Sequence, residues 1–174
     1  METFVRIIRK IIYFFMGKSY SVPIGCISSG WGGNLTIGKY VSFGGNVFLH
    51  GDSHINIGDY SMIAYGVIIH TSTHDYNKHP MGQRIDAPVY IGKHTWIGTG
   101  AIILPGVKIE DFAIVGAGSV VTRHVPEGAI VAGNPAKIIK YRNKNIYNIT
   151  TKIDSIGQPL KKDFLPADSI CKKK

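Results

Sequence analysis

Cysteine is almost missing from this chain: Cys26 and Cys171 are the only two, at opposite ends of 174 residues. That spacing offers neither a disulfide framework nor a metal-ligand pattern, so both read as free thiols. Long apolar runs are missing too. The longest, Ile11 to Met16, falls far short of the roughly 20 residues that cross a bilayer. No small-residue cleavage site follows it, which argues against a secretory signal, makes the cytoplasm the expected compartment, and strips the sequon at Asn148 of weight. Acidic groups are scarce, 11 against 20 basic, for a net charge of +9. The excess is uneven: residues 1–18 hold four basic groups and one acidic (+3), residues 19–136 six and seven (−1), residues 137–174 ten and three (+7). A neutral body with a basic tail, and no basic patch interleaved with aromatics, argues against nucleic-acid binding. The tail reads as a solvated end or as a grip on phosphate or an anionic surface.

What the sequence has is rhythm. Aliphatic or aromatic residues recur every sixth position at Ile37, Phe43 and Leu49, again at Ile57, Ile63 and Ile69, and again at Ile91, Ile97, Ile103, Ile109, Val115 and Val121. Glycine follows six of the twelve: Gly38, Gly44, Gly58, Gly92, Gly98 and Gly116. A second comb runs two residues earlier through Leu35, Val41, Val47, Ile55, Val67, Val89, Val107 and Ala113. Apolar pairs two apart, punctuated by glycine or polar corners, are the mark of strands a few residues long, each followed by a turn. Repetition at this period points to a solenoid whose units bury their apolar face only by stacking. The comb resembles the left-handed parallel β-helix, in which three hexads make one triangular coil, and the likeness covers about residues 22–135.

The rhythm slips twice. Leu49 to Ile57 is eight residues rather than six, which predicts a bulged corner around Gly51 to His54. Ile69 to Ile91 is 22, which predicts a loop over 71–88 standing out from the coil, where chemistry tends to sit on a rigid scaffold. Upstream, Phe4, Ile7, Ile8, Ile11, Ile12 and Phe15 fall at helical spacing with Arg6, Arg9 and Lys10 between them. The expected organisation is therefore an N-terminal helix over 1–20, a β-helix over 21–136 and a basic tail over 137–174. The helix reads as a cap on the open solenoid, or as a peripheral contact with an anionic membrane.

From His94 to Lys140 the phrases "WIG", "ILPGV", "VGAGSVVT" and "AGNPAK" together resemble the acetyl-coenzyme A half of the hexapeptide-repeat acyltransferases, most closely the galactoside and maltose acetyltransferase branch, which includes polysaccharide O-acetyltransferases. The stretch from Ile57 to His74 is similar to the approach to that branch's catalytic histidine. The resemblance implies acetyl-CoA as co-substrate, no metal, a sugar or other small-molecule acceptor, and a homotrimer with sites between subunits. It makes His74 the general base and Asp52 a carboxylate touching the acceptor. Trp96 would wall the pantetheine arm and Thr99 would offer its backbone N–H. Ala117 and Thr122 would meet the pantetheine, and Lys137 with Lys140 would meet the coenzyme phosphates. The chain departs from the branch at Gly44, where the family has an asparagine, in having lysine for the basic arginine pair, and in lacking the long sugar-side N-terminal extension.

The residue types suit that chemistry independently. Transfer from a thioester to a hydroxyl needs a base, and imidazole with a pKa near ~6.5 is available at neutral pH. The oxyanion needs a fixed donor, which a backbone N–H at a rigid corner supplies. Neither cysteine lies in a repeat phrase and no serine has a histidine at motif spacing, so direct attack is favoured over a covalent enzyme intermediate. His50 and His70 each follow a comb residue where glycine is usual, so they should stack on neighbouring coils, as a corner ladder or as part of the acceptor pocket. His79 reads as a loop residue able to line the acceptor cleft. Absence of an N-terminal sugar-nucleotide domain tilts the reading to O-acetylation, with N-acetylation of a sugar, or acetylation of serine or a xenobiotic, as the alternative. A γ-carbonic-anhydrase-like metalloenzyme is disfavoured because His70 and His74 lack its ligand spacing. A non-catalytic solenoid is the remaining rival.

Overall fold

The structure is a computed structural model and describes residues 35–78 and 82–143. The helix expected over 1–20, His79 and the tail beyond Asn143 lie outside the described residues. Three parallel sheets form the body. The first joins β1 (Leu35–Ile37), β4 (Ile55–Ile57), β9 (Val89–Ile91) and β12 (Lys108–Ile109). The second runs through β2 (Ser42–Phe43), β5 (Met62–Ile63), β10 (Trp96–Ile97), β13 (Ile114–Val115) and β15 (Ala129–Ala132), and ends on the antiparallel β16 (Lys137–Tyr141). The third contains β3 (Phe48–His50), β6 (Ile68–His70), β11 (Ile102–Ile103) and β14 (Val120–Val121). The chain visits the sheets in turn and returns one coil later to the same sheet, which is the winding of a β-helix.

The comb explains the packing. Leu49, Ile69, Ile103 and Val121 stand in register on successive strands and are all buried, and eleven of the twelve comb residues belong to the core, with Phe43 packed against it. Where the second comb lapses, at Ser61, Thr95, Ala101 and Ser119, the residues are small and fully buried. The serine hydroxyls among them are satisfied at the corners: Ser61 Oγ donates to Gly92 O at 2.8 Å, and Gly133 N–H donates to Ser119 Oγ at 3.2 Å. Buried polar atoms of this kind are tolerated because they are paired. The glycines after the comb residues allow coils to touch. At Gly44 a Cβ would lie 2.4 Å from Tyr65 N, so the position where the family has an asparagine cannot carry a side chain in this chain.

Regular structure continues past residue 136: Lys137–Tyr141 pairs with β15 across a bulge between Ile130 and Val131, within a compact unit that runs to Arg142. All five residues of this strand are exposed, so it carries no burial alternation that the sequence could reveal. No helix among the described residues is long and apolar enough to cross a membrane.

Candidate active site

The two slips in the comb meet at one corner of the prism. The eight-residue step forms a bulged corner at 51–53, and the longer step folds into a hairpin of β7 (Ser72–His74) and β8 (Arg84–Asp86), with His74 directly across from Arg84. They are fitted together. Gly51, at φ +120°, leaves room that a Cβ would fill, 2.1 Å from Thr71 Oγ1 and 2.6 Å from Ser72 Oγ. Thr71 is fully buried; its N–H and hydroxyl donate to His50 O at 2.8 and 3.3 Å, and its hydroxyl accepts from Ser53 N–H at 3.2 Å. Arg84 Nη1 meets Asp52 Oδ2 at 2.7 Å and Nε meets Asp86 Oδ1 at 3.0 Å, while Nη2 donates to Ser72 Oγ at 2.6 Å. The Ser72 hydroxyl donates to Asp86, and this bond, more than Arg84, holds the Asp86 carboxyl below the usual carboxylate range.

His74 is exposed on this hairpin, directly across from Arg84, which itself meets Asp52. His50 and His70 stack at 5.0 Å between ring centroids, as their place in the comb predicts, with Phe48 at 6.0 and 6.5 Å. Burial, then the neighbouring His50, pushes His70 below the ordinary imidazole pKa. Nδ1 of His50 is buried and makes no hydrogen bond. Among the described residues no three His, Cys, Asp or Glu side chains gather to hold a metal.

The residues expected to meet the coenzyme, Thr122 excepted, lie along a different edge. Trp96, 39% exposed, pairs with Ile114, Ile114 with Ile130, and Ile130 with Lys140, giving one outward column across the second sheet. Three ladder steps of ~4.8 Å put Lys140 about 14 Å from Trp96. The bulge returns Lys137 to the same outward face, opposite Ala132. Thr99 and Ala117 occupy successive rungs of the corner between the second and third sheets, where Gly118 N–H donates to Thr99 O at 2.8 Å. Thr122 follows Val121 as His70 follows Ile69, so it stands in the histidine column two coils on.

Apart from Thr122, these two groups are not brought together within one chain. In the coil of His70 the Thr99 corner is held by Tyr65, whose carbonyl receives Gly100 N–H. Tyr65 and His70 are five residues apart, up to about 17 Å along the third face at ~3.3 Å per residue. Sequence reasoning missed Arg84 altogether. Its signal was a lone arginine two residues before an aspartate, Asp86, in a loop that read as irregular, and only the folded corner shows that it grips Asp52.

Similarity to known proteins agrees with this architecture. Residues 88–123 match the family model for "Bacterial transferase hexapeptide (six repeats)". Galactoside O-acetyltransferase of Escherichia coli (strain K12) is 34% identical over 134 residues, 72% of this chain, and the chain spans only 64% of that relative's length. A Staphylococcus aureus (strain COL) protein named as a candidate acetyltransferase is 31% identical over 140 residues, covering 79% of this chain and 69% of its own. Among solved structures, a maltose O-acetyltransferase from Clostridium difficile 630 matches with a TM-score of 0.60 and 33% identity, covering 67% of this chain and 66% of that one. A hexapeptide-repeat acetyltransferase from Vibrio cholerae, complexed with acetyl coenzyme A, matches with a TM-score of 0.60 and 28% identity over 68% of each chain. Coil, corner and likeness agree: the chain belongs to the hexapeptide-repeat transferase family.

Proposed function

We propose that the protein transfers an acetyl group from acetyl-CoA to a sugar hydroxyl, with His74 as general base, at sites formed between the subunits of a homotrimer. The observation that carries this reading is the separation described above. The reacting oxygen and the thioester carbon must approach to about 3–3.5 Å. His74 and the Thr99 corner stand at opposite edges of one face, so the base of one subunit is best completed by the Trp96 and Thr99 edge of a neighbour. The outward residues favour such an assembly. Phe48, Ile68, Ile102 and Val120 line the third face, and Met62, Trp96, Ile114 and Ile130 stand between Ser42 and Lys140 on the second, whereas the first offers Thr36, Asn56, Tyr90 and Lys108. Two apolar faces beside one polar face suit a closed ring of three.

In this reading His74 takes the proton as the sugar oxygen attacks the thioester carbonyl. The oxyanion that forms is held by the Thr99 N–H. The C–S bond then breaks, and the imidazolium returns its proton to the departing coenzyme thiolate. Asp52 contacts the acceptor beside the base, with His50 and His79 as further lining, while Ala117 and Thr122 bound the pantetheine arm. Lys137 and Lys140 attract the phosphates as point charges. The two relatives named for galactoside and maltose acetylation support a sugar acceptor, and we place that acceptor among surface polysaccharides and their precursors, made in the cytoplasm.

The test is thiol release from acetyl-CoA against galactosides, maltose, nucleotide sugars, amino sugars, serine and antibiotics, with light scattering of the same sample. Release with hydroxyl sugars by a trimer supports the reading. Release only with amines moves the acceptor to nitrogen, and a stable, active monomer contradicts the shared site.

A further inference from the structure

We propose that Arg84 is a positioning residue: it locks the hairpin that carries His74 onto the bulged corner that carries Asp52, and so fixes the base relative to the acceptor carboxylate. The inference rests on the reading of His74 as the base.

Four observations converge. All three nitrogens of the Arg84 fork are engaged, with Nη1 on Asp52, Nε on Asp86 and Nη2 on Ser72. Asp86 in turn accepts the backbone N–H of Asp52, so the hairpin grips that one corner residue at both its side chain and its backbone. Arg84 also sits directly opposite His74 in the hairpin, where facing Cβ atoms lie about 4.5–5.5 Å apart. A shift of Arg84 is therefore a shift of His74. Finally, the root of the hairpin is seated separately, by Thr71 on His50 and Ser53 over the Gly51 gap. Thr71 holds the base of the arm, and Arg84 with Asp86 holds its reach.

Magnitudes decide what this clasp is for. Arg84, Asp52 and Asp86 have side chains 39%, 44% and 35% exposed, and ion pairs at such exposure contribute little to stability. Displacing a catalytic group by about 1 Å can nevertheless cost on the order of 100-fold in rate. The clasp should thus matter for alignment and hardly at all for folding. Lysine keeps the charge but cannot serve three acceptors lying in different directions with a planar fork.

The experiment compares Arg84→Met and Arg84→Lys with wild type and His74→Ala in the full chain. Turnover is followed with acetyl-CoA and the fastest sugar of the acceptor panel, and amide hydrogen exchange is followed across residues 70–88. For Arg84→Met we expect kcat to fall about 10- to 100-fold with the acetyl-CoA KM unchanged within about 2-fold. Its Tm should stay within about 2 °C, and Arg84→Lys should recover part of the rate. The Asp75 N–H, bonded to Gln83 O at 3.0 Å, should exchange about 10-fold faster in Arg84→Met while amides of β10 and β13 do not change. Unchanged hairpin exchange overturns the clasp. Faster exchange with wild-type kcat overturns its role in alignment, as does a parallel loss of kcat, Tm and acetyl-CoA affinity. If His74→Ala keeps full activity, the base assignment fails instead, and if no sugar turns over, the exchange arm alone decides whether Arg84 holds the hairpin.

Discussion

Replacing Gly51 by alanine should damage this protein far more than replacing Gly66, although both glycines have positive φ, +120° and +68°. At Gly51 two costs combine. A φ of this kind in a residue with a Cβ costs about 1–3 kcal/mol, and the methyl would press on Thr71 Oγ1 and Ser72 Oγ at 2.1 and 2.6 Å. Thr71 cannot yield, being fully buried and bonded to His50 O and Ser53 N–H, so overpacking adds about another 1–3 kcal/mol. The total is about 2–6 kcal/mol. At Gly66 nothing lies within 4 Å of an added Cβ, and Asn46 already adopts φ 56° one coil earlier in the same column. Only the backbone preference remains, about 1 kcal/mol. Guanidinium unfolding of the two variants at one protein concentration measures the difference. Thr71→Ala introduced into Gly51→Ala should restore part of the loss by removing the obstructing oxygen. Equal losses at the two glycines, or no relief from Thr71→Ala, would refute the view that the bulged corner is shaped around the hairpin root.

Three further predictions follow from the same geometry. His94 lies flat between Tyr60 and Phe112, at 5.0 Å from each. Burial holds its pKa below the ordinary value of 6.5, outweighing Asp111 and Asp59, which act the other way. Below about pH 6.5 the unfolded chain therefore binds a proton that the folded chain resists, so stability is level above that pH and falls as pH drops. His94→Phe should reduce the acid-side fall in Tm, leaving the share owed to His70, whose pKa is also lowered; an unchanged Tm–pH slope would contradict this. Phenylalanine already sits at φ 60° one coil on, at Phe112, so the replacement fits the backbone. Lys137→Gln with Lys140→Gln should raise the acetyl-CoA KM about 10-fold or more, with kcat at saturation retained, as expected for lost charge-assisted contacts to phosphate. Light scattering of Ile102→Lys, which places a charge on the apolar third face, should show dissociation of the proposed trimer.

The coils were legible in the sequence because each comb residue reports its own burial: Ile57, Ile63 and Ile69 are all at 1% exposure or less. The His50 and His70 stack was legible for the same reason, since counting hexads places residues of neighbouring coils side by side. The clasp was not. Asp52 and Arg84 are 32 residues apart with an irregular insertion between them, and no periodicity says that a bulge in one coil receives a hairpin from the next. Their contact also depends on Gly51, which reads in sequence as an ordinary turn glycine and in structure as the gap that admits Thr71. Lys137 and Lys140 were singled out as a phosphate grip, but their place on a strand was hidden. The bulge that aligns them breaks the alternation by which exposed strands are recognised.

The most direct measurement is turnover by His74→Ala with saturating acetyl-CoA and an acceptor that the wild type acetylates. His74 is exposed on an arm whose root is held by Thr71, so its replacement leaves the core and the edge proposed to hold the coenzyme untouched. The account predicts that kcat falls about 10²- to 10⁴-fold while the affinity for acetyl-CoA is unchanged. Wild-type turnover by this variant would contradict it.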